Sequence, residues 1–290
     1  GSRFCTIKGN NFQDISESAI RLERSDSNTL SFNHIDSSTV AVHLSQSSGN
    51  NLTDSSFMNV RAGVFVENSL RNNIVRNKIS ASDTAIFIYR SGGNRISDNS
   101  ANGDIFLHLL FSSKNVVEFN EADGIIANFD SQRNDYVMEN LKLTGEEFQF
   151  GFTQSTLPND FIPLSPVLNV TIMPDVYTEK GFATFESEIP ADGLDVSTVG
   201  IYRLDKGEKV SDATFEGEML RTNFTTRQSG IYILAGKKIE KPAVAPETET
   251  PVAVSTSTPT PPPEKWIPGF QFAAAMAGIF GAMLLRKMSR

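Results

Sequence analysis

The sequence predicts an all-β chain that begins as a right-handed parallel β-helix, and three observations carry that expectation. A phrase, Asn-x-(Ile/Leu/Val)-x-x-Asn, returns about every 22 residues. Each period holds a second short β-type run. After Gly145 the period stops and a different alternation begins. A steady period of this length is the mark of a repeat architecture, in which each unit buries its apolar face only against its neighbours.

The phrase runs from Asn28 to Asn33, Asn73-Ile74 to Asn77, Asn94 to Asn99 and Asn115 to Asn120. Asn50 opens a copy that ends in Ser55, and variants close at Asn10 and Asn140. The second runs are Ala19–Leu22, Val40–Leu44, Gly63–Val66, Ala85–Ile88, Ile105–Leu109 and Gly124–Ala127. Alternation such as Val42/Leu44 and Ile86/Ile88 puts one face in and one out. Strands this short need a copy above and below at ~4.8 Å. Asn10, Asn33, Asn77, Asn99, Asn120 and Asn140 are then expected to occupy coil corners. There they would take the left-handed backbone and form a ladder of stacked amides, weakest at Ser55.

The phrases "SRFCTIKGNNF", "GNRISDNS", "AIFIY" and "GIIANF" resemble NosD-type, pectate-lyase-like β-helix repeats over about residues 1–145. The resemblance implies a surface or periplasmic protein that handles carbohydrate or serves as a scaffold. It does not choose among lyases, hydrolases, binders and spacers, because one solenoid hosts them all. The chain opens in mid-repeat, which suggests upstream coils in a longer protein.

Residues 146–238 alternate through "VLNVTIM", "GFATFESEI", "VGIYRLD" and "GIYILAG" with turn residues between, predicting a small antiparallel β-sandwich. Residues 239–265 are rich in Pro, Thr and Ser and read as an extended, disordered stalk. Residues 266–290 hold the apolar run Ile267–Leu285, nineteen residues or about 28 Å of helix, followed by Arg286, Lys287 and Arg290. That is a membrane anchor with its basic end cytoplasmic and the rest of the chain outside. The motif Pro268-Gly269-Phe270, the apolar helix, the terminal basic residues and the preceding linker together resemble the PGF-CTERM sorting signal. The resemblance implies processing by an archaeosortase-type enzyme, exchange of the helix for lipid, and an archaeal cell envelope.

A net charge of −8 and the lack of a basic stripe in the sequence argue against a nucleic-acid partner. The single cysteine, Cys5, excludes an intrachain disulfide. Asn51, Asn169 and Asn223 lie in Asn-x-Thr sequons, compatible with N-glycans outside the cell.

In a β-helix, equivalent positions stack into surface columns, and two columns and a copper site are the candidates for function. Arg21, His43, Phe65, Phe87 and His108 form one, with Phe65 and Phe87 a candidate platform for a sugar ring. Glu17, Thr39, Arg61, Asp83 and Asp104 form another, with Asp123 close by. Asp83, Asp104 and Asp123 could hold Ca²⁺ or act as acid and base on a polysaccharide. Copper, implied only by the NosD resemblance, lacks a ligand cluster. His43 and His108 share a column but stand three coils apart, roughly 14 Å. No cofactor is therefore required, with Ca²⁺ the one candidate. The leading expectation is a surface-anchored structural, adhesive or glycan-binding protein, with an extracellular polysaccharide lyase or glycoside hydrolase as the alternative.

Overall fold

The computed structural model describes residues 1–173 and 181–239. These fall in one compact unit, and every regular element among them is a β-strand. From residue 240 onward the expected stalk, the sorting residues Pro268, Gly269, Phe270, Arg286, Lys287 and Arg290, and the apolar anchor lie outside the described residues. Among the described residues no helix is long and apolar enough to cross a membrane.

Residues up to about 140 form a parallel β-solenoid. Short strands at Thr6–Lys8, Thr29–Ser31, Asn51–Thr53, Asn73–Val75, Arg95–Ser97, Val116–Glu118 and Asp135–Met138 stack in sequence order into one sheet. Long strands at Asn11–Glu23, His34–Ser45, Ser56–Glu67, Lys78–Tyr89, Ser100–Leu110 and Glu121–Phe129 stack into the other. Equivalent residues pair directly, as in Leu30↔Leu52↔Ile74↔Ile96. Inward columns are therefore uniformly apolar. Val42, Val64, Ile86 and Leu107 are fully buried, as are Leu44, Val66, Ile88 and Leu109 within 1%. Each such side chain contributes about 1.5–3 kcal/mol of burial.

The long strands begin earlier than the second runs marked in the sequence. They start directly after the closing residue of each phrase and bend at Asp14, Ser37 and Asn59, where φ is positive. The added inward column is Phe12, Ile35, Phe57, Ile79, Ala101 and Ala122, always two residues past the phrase.

The asparagines form ladders, but not by the backbone route expected. Left-handed φ belongs to the residue before each one: Phe32, Asp54, Arg76, Asp98 and Phe119 at 50–56°. The bend there turns the following side chain inward, where its Oδ1 accepts the backbone N–H and the Nδ2–H of the asparagine one coil earlier. Asn77 donates in this way to Asn99 at 2.9 and 3.1 Å, and Asn99 to Asn120 at 3.0 Å for both bonds. At Ser55 the hydroxyl accepts only the Asn33 N–H, at 3.2 Å, so that rung has no amide–amide bond. Asn140 is off the ladder. It is exposed and donates to the Leu164 carbonyl, because the chain has already reversed into an antiparallel strand.

A second, longer amide ladder runs through Asn28, Asn50, Asn72, Asn94, Asn115 and Asn134, with side chain–side chain distances of 2.9–3.2 Å. Asn72 takes this place, whereas Asn73 faces outward and donates to Asn51 at 2.7 Å. Beside it a serine ladder, Ser25, Ser47, Ser69, Ser91, Ser112 and Ser131, accepts one backbone N–H per coil. Both end at buried Asn128, whose Oδ1 receives Asn134 Nδ2–H and the Tyr136 hydroxyl, and whose Nδ2–H reaches the Ser131 and Gly145 carbonyls.

Beyond Met138 pairing becomes antiparallel without a break in either sheet. Leu141–Glu146 extends the short-strand sheet toward Phe182–Pro190 and Met219–Thr226. Phe148–Phe152 extends the long-strand sheet toward Leu168–Ile172, Gly230–Lys238 and Leu194–Arg203. The core here is aromatic: Tyr136, Phe148, Phe150, Phe185 and Tyr232 are at most 1% exposed.

Candidate functional site

Strand register builds the site from the outward residues of the long-strand sheet. Arg21 pairs with His43, His43 with Phe65, Phe65 with Phe87 and Phe87 with His108. With coils ~4.8 Å apart, flat side chains in one column have little choice but to lie face to face. His43 and Phe65 stack at 4.7 Å between centroids, Phe65 and Phe87 at 5.1 Å, and Phe87 and His108 at 4.9 Å, all within 25° of parallel. Phe129 closes the far end edge-on at 5.7 Å. The faces of Phe65 and Phe87 are therefore occupied by neighbours, and solvent meets the ring edges. A sugar cannot lie flat on them. The edges carry the positive part of the ring quadrupole and favour contact with oxygen atoms.

The histidines are neutral members of this stack. Burial lowers the pKa of both. Arg21 lowers that of His43 further while Glu67 opposes, and Asp83 opposes the shift at His108. Their Nε2 atoms are buried without a hydrogen bond. His43 Nε2 lies 3.5 Å from Glu67 Oε2, but not in bonding geometry.

Beside the stack runs a groove of about 400 Å³. Phe65, Phe87, His108 and Ile105 form its apolar side, and Thr39, Arg61, Asp83 and Thr84 its polar side. Arg61 Nε stands 3.6 Å from Asp83 Oδ2. The two sequence columns thus meet in one place, which only the register across coils could reveal.

The three aspartates do not converge. Asp83 is turned to Arg61, and Asp104 is exposed one coil on, next to the Ile105↔Thr84 pair. Asp123 pairs with Asn102, in the column of Ser80, and lines a separate groove near Lys78 and Glu121. The register slips by one residue between Asn102 and Ile105. Among the described residues no three His, Cys, Asp or Glu side chains are grouped to hold a metal. Cys5 is exposed and bonds the Arg3 carbonyl, His34 is exposed at a corner, and two phenyl rings separate His43 from His108. This donor set does not fit copper, which favours convergent imidazole and sulfur ligands.

Asn51, Asn169 and Asn223 are all exposed on strands, and Asn51 Oδ1 accepts the amide of Asn73.

No curated protein matches the chain. Among solved structures, the crystal structure of the Dettilon tailspike protein is similar at 11% identity and a TM-score of 0.38; the match covers 80% of this chain, which spans 63% of that one. Residues 1–120, most of the solenoid with its ladders and aromatic column, match the family model described as periplasmic copper-binding protein (NosD).

Proposed function

We propose that this is a surface protein of the cell envelope, outside the cytoplasmic membrane, whose rigid solenoid presents a glycan-contacting groove. The observation that carries this is the groove beside Phe65 and Phe87. Ring edges and the Ile105 side chain line one side, and hydrogen-bonding groups from Thr39, Arg61, Asp83 and Thr84 line the other. Binding sites for small polar ligands commonly pair an apolar wall with a few placed polar groups. Sugar hydroxyls would bridge the guanidinium and carboxylate, while ring oxygens meet the phenyl edges. The periplasmic description of the matching family supports a place outside the cytoplasm. The apolar run Ile267–Leu285 and its basic end support attachment to the membrane, and Pro268-Gly269-Phe270 supports archaeosortase-type processing in an archaeal envelope.

Binding is favoured over cleavage. Hydrolysis by paired carboxylates requires one of them to stay protonated as acid, a state that burial promotes. Here Asp83 is about half exposed and paired with Arg61, Asp104 is exposed and Asp123 stands in another column.

The test is retention of the full chain on immobilised mannan and xylan, with the soluble fraction monitored for chain shortening. Retention that falls at least ~10-fold in Phe87→Ala and in Arg61→Ala, with no shortening, is the expected result; one lost hydrogen bond or aromatic contact is worth about that factor. Shortened glycan, lost in Asp104→Ala, would make the protein an enzyme. Retention indifferent to both groove substitutions would refute this site.

A further inference from the structure

One side of the solenoid remains: the narrow turn face between the end of each long strand and the next short strand. Its segments, 24–28, 46–50, 68–72, 90–94, 111–115 and 130–134, stack coil on coil, the last four through the pairings Leu70↔Gly92↔Ser113↔Gln132. Four successive coils each present one exposed cation there: Arg71, Arg90, Lys114 and Arg133. Most other arginines of the solenoid are in ion pairs, as with Arg3, Arg21, Arg61, Arg76 and Arg95. These four have no carboxylate partner among the described residues. The acids on this face are Asp26, two coils before Arg71 and paired with Arg3, and Asp130 at the far end, whose N–H is accepted by the Glu147 carboxylate. On a chain of net charge −8, this is a local reversal of sign.

The surface between these cations is shaped for close approach. Gly93 lies exposed at its centre and leaves the backbone bare, while Gly92 packs against the next coil. A Cβ on Gly92 would stand 2.7 Å from the Ser113 carbonyl oxygen, and Gly93 has φ of 64°. The Arg71 stem lies alongside, 3.6 Å from where a Gly93 Cβ would be. Arg90 packs its guanidinium 5.0 Å from the Tyr89 centroid and 5.9 Å from that of Phe111, which is 50% exposed. Stacking of this kind holds a guanidinium in place while leaving its N–H edge open to an anion.

We infer that this face binds an acidic polysaccharide lying along the solenoid axis. Arg71, Lys114 and Arg133 share one column with Gly93, and Arg90 stands three residues before it. The cations therefore flank a track on which charge recurs every ~4.8 Å along the axis, comparable with one charged sugar unit per coil. Duplex DNA is far denser, at about one charge per 1.7 Å of axis. The bare glycine floor admits a pyranose ring, and Phe111 offers it an exposed aromatic surface. This face is distinct from the Phe65/Phe87 groove, around the corner at Tyr89, and stands or falls independently of it.

The probe is polygalacturonate, with neutral mannan, a single-stranded oligonucleotide and phosphatidylglycerol vesicles beside it, all against the full chain. Polygalacturonate should be retained at low salt and released as salt rises. Arg71→Asn with Lys114→Asn should weaken it at least ~10-fold and flatten the log–log salt dependence by about one unit per cation lost. Asparagine tolerates the left-handed backbone at both positions (φ 55° and 59°), so these variants remain folded. Phe87→Ala should leave polygalacturonate retention unchanged, which separates this face from the groove. No retention of polygalacturonate, retention indifferent to the double substitution, or stronger retention of the oligonucleotide or vesicles would each overturn the inference.

Discussion

The solenoid and the antiparallel region share two continuous sheets, yet they hold their interiors together differently. The solenoid buries polar side chains in number, two columns of asparagine and one of serine. The antiparallel region buries few, among them Ser165, Ser187, Thr222 and Thr226, and fills its centre with Phe and Tyr. Parallel stacking repeats the same atoms at the same place on each coil. A side-chain amide can therefore donate above and accept below, and a buried polar column is satisfied throughout. Antiparallel pairing never places equivalent residues in line, so the remaining solution there is apolar packing. Asn128 and Tyr136 stand at the boundary, one ending the ladders and the other opening the aromatic core.

The largest expected effect breaks the aromatic side of this contrast. Phe185 is fully buried, with Tyr232 at 5.0 Å and Phe224 at 6.1 Å. Phe185→Ala should cost about 3–5 kcal/mol in urea unfolding, through lost burial and the cavity left behind. Asn72→Ala breaks the polar side. It strands the Asn50 N–H and amide, and about 2–3 kcal/mol should be lost. A loss under ~0.5 kcal/mol would make the ladder incidental to stability.

Acid should act on the solenoid through its ring stack. The folded-state pKa of His43 and His108 is below the unfolded value near 6.5, so the unfolded chain binds more protons as pH falls past that point. The stability that neutral histidines contribute is present above pH ~6.5 and is lost on going down through their depressed pKa values. Unfolding midpoints followed from pH 8 to 5 should fall, and His43→Phe with His108→Phe should fall less. An equal decline would place the acid sensitivity elsewhere.

Ser55→Asn should repair the weak rung between Asn33 and Asn77, with a gain of about 0.5–1 kcal/mol. Asn140→Ala should change stability by less than ~0.5 kcal/mol, because that amide is exposed and outside the ladder. Equal costs at Asn72 and Asn140 would erase the distinction between ladder and turn asparagines.

Much of the solenoid was legible in the sequence because its signal is one-dimensional. Coil length, the inward Ile/Leu/Val positions and the stacking of His43, Phe65, Phe87 and His108 all follow from counting residues along a period. The first half of each long strand was also written there, as the apolar residue two past every closing position. A strand marked only by its alternation hid it. The Asn72/Asn73 choice was harder, since both side chains are alike and burial alone separates them.

By itself, then, the sequence determined the repeat, its period and the apolar columns, because each depends on spacing within one coil. The change of pattern it marks after residue 145 falls a few residues later than the reversal after Met138. Only the tertiary structure decided what depends on register between coils. It joined Arg61 to Asp83 beside the rings and displaced Asp123 from Asp104. It also gathered Arg71, Arg90, Lys114 and Arg133 onto one face. These cations are about twenty residues apart along the chain and one coil apart in space, a proximity that exists only once parallel backbone hydrogen bonds have set the stack.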